Sequence, residues 1–391
     1  MSYAEVLAEL SGLRRFGIRA ALLPTREALR RLGDPQDRLR IAHVAGTNGK
    51  GSTAAMIDAA LRTAGRRTGL YTSPHLSRFT ERIRIGGEEI ARKDVVRLAH
   101  TIRALAPDLT FFETATCIAL LHFAEQEVEV TVLETGLGGR LDATNVVKPA
   151  VTAVTRIGLD HAEWLGPDLA SVAREKAGIL KPGVPAIAVG DGPERDVLIE
   201  VATRVGAPLR LLGRDFSGYQ GPIGLAGEHQ RENAALAAQA ARILGVPDDA
   251  ISRGIAKVHW PGRMERIGRF VLDCAHNPQA AAALSTAIGR ADALIFGCLS
   301  DKDAPGMLSA LRGNCDPIWL VRPRTDRARD PVELLGLCPA ARTATLHEAL
   351  DQAAGATVLV TGSTYLVGQA REILLGEEPD PLPVGDPAHR G

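Results

Sequence analysis

The sequence is short of aromatic residues and has no net charge. Phe, Trp and Tyr make up 4% of its 391 residues, and 46 Lys and Arg balance 46 Asp and Glu. Proteins that bind RNA or DNA use cationic side chains to neutralise phosphates and often aromatic side chains to stack on bases. We therefore expect no nucleic-acid partner and no charge-driven attachment to an anionic membrane.

Paired cysteines and long apolar runs are also missing. The five cysteines are odd in number and never occur as C-x-x-C, which disfavours a disulfide framework and a zinc site. No run approaches 18 apolar residues, and charges interrupt the N-terminal segment MSYAEVLAELSGLRRFG. We expect neither a membrane-spanning helix nor a signal peptide, and a cytoplasmic location.

Short apolar runs alternate with segments of helical periodicity along most of the sequence. Predicted strands such as Leu39–Ala45 and Val128–Leu133 alternate with predicted helices such as Ser52–Ala64 and Glu113–Glu125. Hydrophobic residues form 45% of the chain, enough for a large core, and the length suggests two or three domains. The pattern predicts an α/β fold with mainly parallel sheets covered by helices.

Three segments interrupt this alternation. The run HWPGRMERIGR at 259–269 combines Pro, Gly and Arg and suits a linker, so we predict domains at 1–262 and 263–380. Residues 381–391 are Pro-rich and polar and are predicted to be a disordered tail. Glycines and short apolar pairs at 204–227 indicate a small antiparallel sheet or flap.

The strongest local signal is GTNGKGS at Gly46–Ser52, between a predicted strand and a predicted helix. Its glycines would let backbone N–H groups surround phosphate oxygens, and the helix start adds a positive dipole end. Lys50 would bridge the outer phosphates, and the Ser52 hydroxyl would bind Mg²⁺. The string departs from G-x-x-x-x-G-K-[ST], because Val44 replaces the first glycine and Gly51 separates Lys from Ser. The alternative is a glycine-rich turn that caps an ordinary helix.

Five later positions have a structural interpretation, and three of them also have a functional one. Glu134 ends a predicted parallel strand and could hold Mg²⁺ or be an ordinary strand-end acid. His161 could bind a metal or be structural, and Ser73 could be a hydroxyl ligand or part of a Ser-Pro turn. Glu113 could be an acid at a helix start with no role beyond its interaction with the helix dipole. Lys176 would ordinarily be an exposed helix lysine.

Taken together, the motifs resemble the folylpolyglutamate synthase/dihydrofolate synthase branch of the Mur ligase superfamily, in its bacterial bifunctional form. The combination of GTNGKGS with GLGGRLDATN is highly specific, whereas any single string is weak. The matching strings follow the family order from about residue 41 to 278, with VTGSTYLVGQAR near the C-terminus: HVAGTNGKGST, YTSPHL, FFETAT, LETGLGGRLDATN, GLDHAEWLG, REKAGIL, GEHQRENAALA, PGRMER and LDCAHNP.

This resemblance implies an N-terminal phosphate-loop ATPase domain with a mainly parallel sheet, a smaller C-terminal Rossmann-like domain, and an active site in the cleft between them. It implies an ATP-dependent ligase in which ATP phosphorylates a carboxylate and the amine of L-glutamate displaces phosphate. The acceptor would be dihydropteroate or a folate, and the protein a monomer. The alternatives are a single-function folylpolyglutamate synthase, a Mur-type ligase with another acceptor, a kinase, and a catalytically silent nucleotide-binding protein.

The resemblance also assigns residues to the site. The residues expected to bind ATP are Asn48, Gly49, Lys50, Gly51, Ser52, Asn233, Arg263 and Asp273. Two Mg²⁺ ions would be bound by Ser52, Ser73, Glu134 and His161. The catalytic residues would be Lys50, Lys176, His161 and His276, with Lys176 carbamylated and its carbamate close to the second ion. The pterin-bearing substrate would lie near Phe112, Glu113, Leu141 and Asp142.

Overall fold

The computed structural model describes residues 1–13 and 22–381, which divide into two compact units. The first unit comprises the described residues of 1–224 together with 230–258, and the second comprises 225–229 and 259–381. The predicted disordered tail lies outside the described residues, apart from residue 381. The domain limits inferred from the sequence, 1–262 and 263–380, stay predictions.

The first unit is built on a mainly parallel sheet. Within the described residues its strands are β1 (Ile41–Ala45), β2 (Thr68–Tyr71), β3 (Ile83–Ile85), β4 (Glu88–Glu89), β5 (Val130–Glu134), β6 (Val151–Val154), β7 (Ala186–Ala188) and β8 (Leu209–Leu211). Their spatial order is β4-β3-β2-β5-β1-β6-β7-β8, and only the pairs of β3 with its two neighbours are antiparallel in this part of the chain. The central strands β1, β5 and β6 are buried along their whole length, which explains their nearly continuous apolar sequences.

Helices pack against this sheet in two large apolar clusters. The helices of the first unit are α1 (Tyr3–Gly12), α2 (Leu23–Arg31), α3 (Lys50–Thr63), α4 (Arg92–Leu105), α5 (Phe111–Glu125), α6 (Ala162–Leu165), α7 (Leu169–Ala177), α8 (Pro193–Val205), α9 (Gln230–Ile243) and α10 (Asp248–Lys257). One cluster joins α1, α2, α4 and α5 to β1, β2 and β5, and another joins α7 and α8 to β6 and β7. Helix α3 packs against α9 and α10.

The second unit is a smaller α/β unit of the same kind. Its described strands are β9 (Glu265–Ile267), β10 (Phe270–Leu272), β11 (Ala293–Phe296), β12 (Ile318–Val321), β13 (Arg342–Ala344) and β14 (Val358–Thr361). The order is β13-β12-β11-β14-β10-β9, with β9 antiparallel to β10 and the other pairs parallel. Its helices are α11 (Pro278–Ile288), α12 (Ala304–Leu311), α13 (Pro331–Leu335), α14 (Leu346–Gln352) and α15 (Thr364–Leu375).

The predicted α/β class with mainly parallel sheets is confirmed. The antiparallel sheet predicted at 204–227 is wrong, because Leu209–Leu211 pairs in parallel with β7 and extends the main sheet. The alternative of a flap stays a prediction. None of the helices in the described residues has the length and apolar character needed to cross a membrane.

Strand register brings several loops to one edge of the first sheet. Val44 of β1 is level with Glu134 of β5, Tyr71 of β2 with Leu133, and Ala45 with Val154 of β6. The chain therefore leaves β1, β2, β5 and β6 at the same carboxyl edge, where parallel α/β sheets bind ligands.

Candidate active site

The GTNGKGS segment forms a tight loop between β1 and α3. Gly46 and Gly49 have φ values of 151° and 90°, in the region that favours glycine. A Cβ atom at Gly49 would collide with the Asn233 side-chain amide, and one at Gly46 would collide with Thr155. The glycines thus allow both a left-handed backbone and the close approach of Asn233 to the loop.

Two backbone amides of the loop are held by the segment that follows β6. The N–H groups of Thr47 and Asn48 both donate to the Arg156 carbonyl oxygen, at 3.0 and 3.2 Å. Thr155 Oγ1 donates to the Asn48 carbonyl oxygen at 2.8 Å. Thr155 and Arg156 were not among the predicted site residues. The available signal was their place directly after a buried parallel strand.

Two predicted catalytic lysines converge on one carbonyl oxygen of the loop. Lys50 Nζ donates to the carbonyl oxygens of Gly46 and Thr47 at 3.1 and 3.2 Å, and Lys176 Nζ donates to that of Gly46 at 2.8 Å. Lys176 is only 3% exposed, so its interpretation as an exposed helix lysine is wrong. Its helix, α7, packs into the core through Val172, Ala173 and Ala177, which carries Lys176 inward.

Burial makes Lys176 an unusual amine. Desolvation, followed by the charge of Lys50, lowers the pKa of Lys176 to about 7, although the carboxylates of Asp160, Asp142 and Glu175 oppose this shift. Near neutral pH, a substantial fraction of the Lys176 amine is therefore uncharged.

Ser52, Ser73 and Glu134 carry side-chain oxygen atoms of the kind that hard cations prefer. Glu134 is 3% exposed at the end of β5, and its Oε2 accepts a hydrogen bond from Ser73 N at 3.1 Å. Ser52 is 1% exposed, and its Oγ has no hydrogen-bond partner within the described part of the chain. A buried hydroxyl without a partner is costly unless a ligand satisfies it, so Ser52 fits a Mg²⁺ or phosphate contact.

His161, the other predicted metal ligand, lies beside an aspartate. It has a φ of 53°, which is uncommon for a residue other than glycine. Its backbone N–H donates to Asp160 Oδ1 at 2.9 Å. Its Nε2 is 3.8 Å from the same oxygen. In residues 1–13 and 22–381, no three His, Cys, Asp or Glu side chains form a group that could hold a metal ion. The buried Glu134 carboxylate and the Ser52 hydroxyl fit a Mg²⁺ ion whose other ligands are phosphate and water.

The predicted substrate loop is shaped by Asp142. Its Oδ2 accepts from the N–H groups of Gly136 and Leu137 at 2.9 and 3.0 Å. Its Oδ1 accepts from Thr144 N at 3.0 Å and Thr144 Oγ1 at 2.5 Å. Burial raises the pKa of Asp142, and these hydrogen bonds oppose the increase. Asp142 thus fixes the loop that leaves β5, while the adjacent Leu141 is half-buried.

Phe112 contacts this loop, whereas the Glu113 carboxylate caps a helix. A Cβ atom at Gly136 would collide with the Phe112 ring, whose centroid is 6.1 Å from that of Tyr71. Glu113 Oε2 accepts from Thr110 N at 2.7 Å, and Thr110 Oγ1 accepts from Glu113 N at 3.3 Å. This reciprocal capping box agrees with the helix-start interpretation of Glu113. Its role toward substrate stays a prediction.

Three predicted residues lie together in the second unit, around the end of β10. Asp273 accepts from Met264 N and Ala275 N, both at 2.9 Å; burial raises its pKa and the charge of Arg263 opposes the shift. His276 Nδ1 is 2.8 Å from the Cys274 carbonyl oxygen, which can only accept, so this nitrogen carries the proton. The ATP-binding and catalytic roles of these residues stay predictions.

Comparison with known families and relatives agrees with this arrangement. Residues 44–215 match the Mur ligase middle domain, and residues 262–364 match the glutamate ligase domain of Mur ligases. The dihydrofolate synthase/folylpolyglutamate synthase of Escherichia coli is 37% identical over 96% of this chain and 94% of its own length. A probable bifunctional folylpolyglutamate synthase/dihydropteroate synthase of Halobacterium salinarum is 37% identical over 95% of this chain. The chain spans about half of that relative, 51% of its length.

Solved structures give the same result. Escherichia coli FolC in complex with DHPP and ADP superposes with a TM-score of 0.89 at 33% identity, covering 96% of this chain and 98% of that one. A bifunctional folylpolyglutamate synthase/dihydrofolate synthase with Mn, AMPPNP and L-glutamate bound has a TM-score of 0.85 at 32% identity, with the same coverage. The chain belongs to the Mur ligase family, in its folylpolyglutamate synthase/dihydrofolate synthase branch.

Proposed function

We propose that this protein is an ATP-dependent amide ligase that adds L-glutamate to dihydropteroate and to folates through an acyl phosphate. The observation that carries the proposal is the convergence of Lys50 and Lys176 on the Gly46 carbonyl oxygen. The same loop leads into Ser52, whose buried hydroxyl has no hydrogen-bond partner among residues 1–13 and 22–381. The relative with bound Mn, AMPPNP and L-glutamate supports the same combination of ligands for this chain.

The loop and its neighbours would bind the triphosphate. Backbone N–H groups of Gly49–Ser52, at the start of α3, favour phosphate oxygens, and Asn233 is already in place beside Gly49. Lys50 would exchange its two carbonyl acceptors for phosphate oxygens. Ser52 and Glu134 would hold one Mg²⁺, and Ser73 and His161 a second. Bound Mg²⁺ neutralises phosphate charge during the transfer.

The reaction needs accurate positioning more than covalent help from the protein. A carboxylate oxygen of the acceptor attacks the γ-phosphorus, which gives an acyl phosphate and ADP. The glutamate amine then attacks the acyl carbon, loses a proton, and expels inorganic phosphate as the amide forms. Lys50 stabilises the charge on the transferring group, and the loop from Gly136 to Asp142, with Phe112 against it, orients the acceptor.

We include in this proposal a carbamate on Lys176. The neutral amine adds to CO₂ and releases a proton, which converts a cation into an anion with hard oxygen ligands. The low pKa and burial of Lys176 support the modification, because only an uncharged amine can react. We also propose a cytoplasmic location and a monomeric state.

The function is tested by measuring ADP release by the purified full chain in the presence of ATP, L-glutamate and dihydropteroate or a folate. We expect release that requires both L-glutamate and an acceptor, and formation of dihydrofolate when the acceptor is dihydropteroate. ATP hydrolysis that ignores L-glutamate would contradict the proposal. Glutamate addition to reduced folates without any addition to dihydropteroate would define a single-function folylpolyglutamate synthase.

A further inference from the structure

Arg156 is attached to the phosphate loop through its own backbone. Its carbonyl oxygen accepts the N–H groups of Thr47 and Asn48 at 3.0 and 3.2 Å, immediately before Gly49 and Lys50. Gly158, two residues further on, is also hydrogen-bonded to the loop, because its backbone N–H donates to Thr47 Oγ1 at 3.0 Å. A displacement of Arg156 would therefore move the loop with it.

The guanidinium of Arg156 holds two carboxylates at once. Nε and Nη2 donate to the two oxygens of Glu232 at 2.8 and 2.5 Å, and Nη1 and Nη2 donate to the two oxygens of Asp191 at 3.0 and 3.1 Å. Glu232 lies in the first turn of α9, and Asp191 lies in the loop between β7 and α8. Only the planar fork of arginine can pair with two carboxylates in this way, since lysine offers a single ammonium.

The helix that Arg156 holds also carries a predicted ATP-binding residue. Asn233 follows Glu232 directly, is 5% exposed, and lies against Gly49. Its Nδ2 donates to Gln230 Oε1 at 2.9 Å, which fixes the direction of the amide. Arg156 thus connects the phosphate loop, through its carbonyl, to the start of α9, through its guanidinium.

We propose that Arg156 is a positioning residue for ATP, which keeps the phosphate loop and Asn233 in register so that both meet the same nucleotide. The proposal rests on the proposed function only in taking ATP as the nucleotide. Most exposed ion pairs contribute little, but this one joins two pieces of a single binding site and its arginine side chain is 30% exposed. Loss of the Arg156–Glu232 pair should therefore weaken nucleotide binding more than it weakens the binding of the other substrates.

Arg156→Gln and Glu232→Gln test the proposal from the two sides of the pair. Each removes one charge while keeping a polar side chain. We expect each to raise the dissociation constant of ADP and the KM for ATP about tenfold, the scale of a lost charge-assisted hydrogen-bond pair. The KM for L-glutamate should change less than about twofold. The double variant should bind ADP about as weakly as either single variant, because both break the same link.

Arg242→Gln is the matched control on the same helix. It breaks the exposed pair of Arg242 Nε with Asp248 Oδ1, which are 2.6 Å apart near the end of α9. We expect an unchanged ADP affinity in this variant. Arg156→Lys, which restores the charge but not the fork, should recover part of the lost affinity.

The measurements are ADP titration by calorimetry, steady-state KM values for each substrate, and thermal unfolding. An ADP dissociation constant that stays within about twofold of wild type in folded Arg156→Gln would overturn the proposal, as would an equal rise in the KM for ATP and for L-glutamate. Should Arg156→Gln fail to fold, Glu232→Gln decides by the same criteria. A wild-type protein that binds ADP without glutamate-dependent turnover would contradict the proposed function, while the ADP titrations would still decide the role of Arg156.

Discussion

In the candidate site, two lysine amines share one carbonyl oxygen. Lys50 and Lys176 both donate to the Gly46 carbonyl, and the buried Lys176 gives up its charge more readily because Lys50 is near. The sequence offered Lys176 only as an exposed helix lysine or, by resemblance, as a carbamate. Its burial depends on the packing of α7 into the core and on its contact with Gly46, 130 positions earlier in the chain, which periodicity within a nine-residue helix does not reveal.

Lys176→Ala should remove most of the ligase activity. Because the carbamate needs an uncharged amine and the pKa of Lys176 is about 7, formation of the carbamate should increase as the pH rises from about 6 to 8. NMR of wild-type protein in ¹³CO₂ should show a carbamate signal that grows over this range and is missing from the variant. Formate or acetate should restore part of the variant's activity.

A fully active Lys176→Ala enzyme without added carboxylate would contradict the role of this residue. Lys257→Ala is the matched control, because Lys257 is the exposed last residue of α10. It should retain wild-type activity and leave the carbamate signal unchanged.

Arg156 and Thr155 illustrate a second limit of sequence interpretation at the residue scale. Thr155 Oγ1 bonds to Asn48, and Arg156 bonds to Glu232, a residue 76 positions further on. Pairs so distant in the chain become neighbours only when β6 lies beside β1 and α9 begins at the loop. Local spacing therefore predicted Lys50 and Ser52 and could not predict the residues that hold them in place.

At the scale of helices and strands, the sequence predicted the type of element better than its ends. The central strands were recognisable because burial on both faces requires continuous apolar residues, as in β1 and β5. Helix α3 was expected from Ser52 and begins at Lys50, because the left-handed Gly49 ends the loop one residue before the helix. Helix α5 was expected from Glu113 and begins at Phe111, because Thr110 is its N-cap and Glu113 completes the capping box.

Strand β1 also carries a buried histidine that makes stability depend on pH. Thr144 Oγ1 donates to Asp142, so His43 Nε2–H donates to Thr144 Oγ1 at 2.8 Å. Burial, followed by the charge of Lys181, lowers the pKa of His43 from 6.5 to about 3. The unfolded chain therefore binds a proton that the folded chain does not, and stability is lost as the pH falls from about 6.5 toward 3.

His43→Gln should reduce this acid sensitivity, because the Gln amide can keep the donor to Thr144 without taking up a proton. Urea unfolding at several pH values gives the free energy of unfolding of both proteins as a function of pH. The free energy of unfolding should depend less steeply on pH in the variant, by up to about 1.4 kcal/mol per pH unit below 6.5. Equal slopes in the two proteins would show that His43 does not titrate on unfolding. His75, whose pKa is also lowered by burial, should maintain a residual slope in both.

At the scale of the whole molecule, the two α/β units and their order along the chain agree with the expectation drawn from the family resemblance. Composition alone did not indicate a function, since balanced charge and few aromatic residues are shared by many enzymes. The specific prediction came from motifs that the fold gathers at the carboxyl edge of the first sheet, where Ser73 and Glu134 are joined by a hydrogen bond.

Removal of divalent ions should abolish ADP release, because no cation is then bound at Ser52 and Glu134 to offset the triphosphate charge. Addition of Mg²⁺ or Mn²⁺ after chelation should restore it. Glu134→Gln should need a higher Mg²⁺ concentration for half-maximal rate. Glu129→Gln should match wild type, since the exposed Glu129 precedes β5 at the opposite end of the strand. Full activity in excess chelator would contradict the proposed metal site.

In the proposed reaction, ATP activates the acceptor carboxylate as an acyl phosphate before glutamate attacks. Dihydropteroate labelled with ¹⁸O in its carboxylate tests this directly, because the oxygen that bridges carbon and phosphorus leaves with the phosphate. After incubation with ATP and L-glutamate, mass spectrometry should find one ¹⁸O in each inorganic phosphate formed with dihydrofolate, and the other in the new amide carbonyl. Dihydrofolate formed together with unlabelled phosphate would rule out the acyl phosphate.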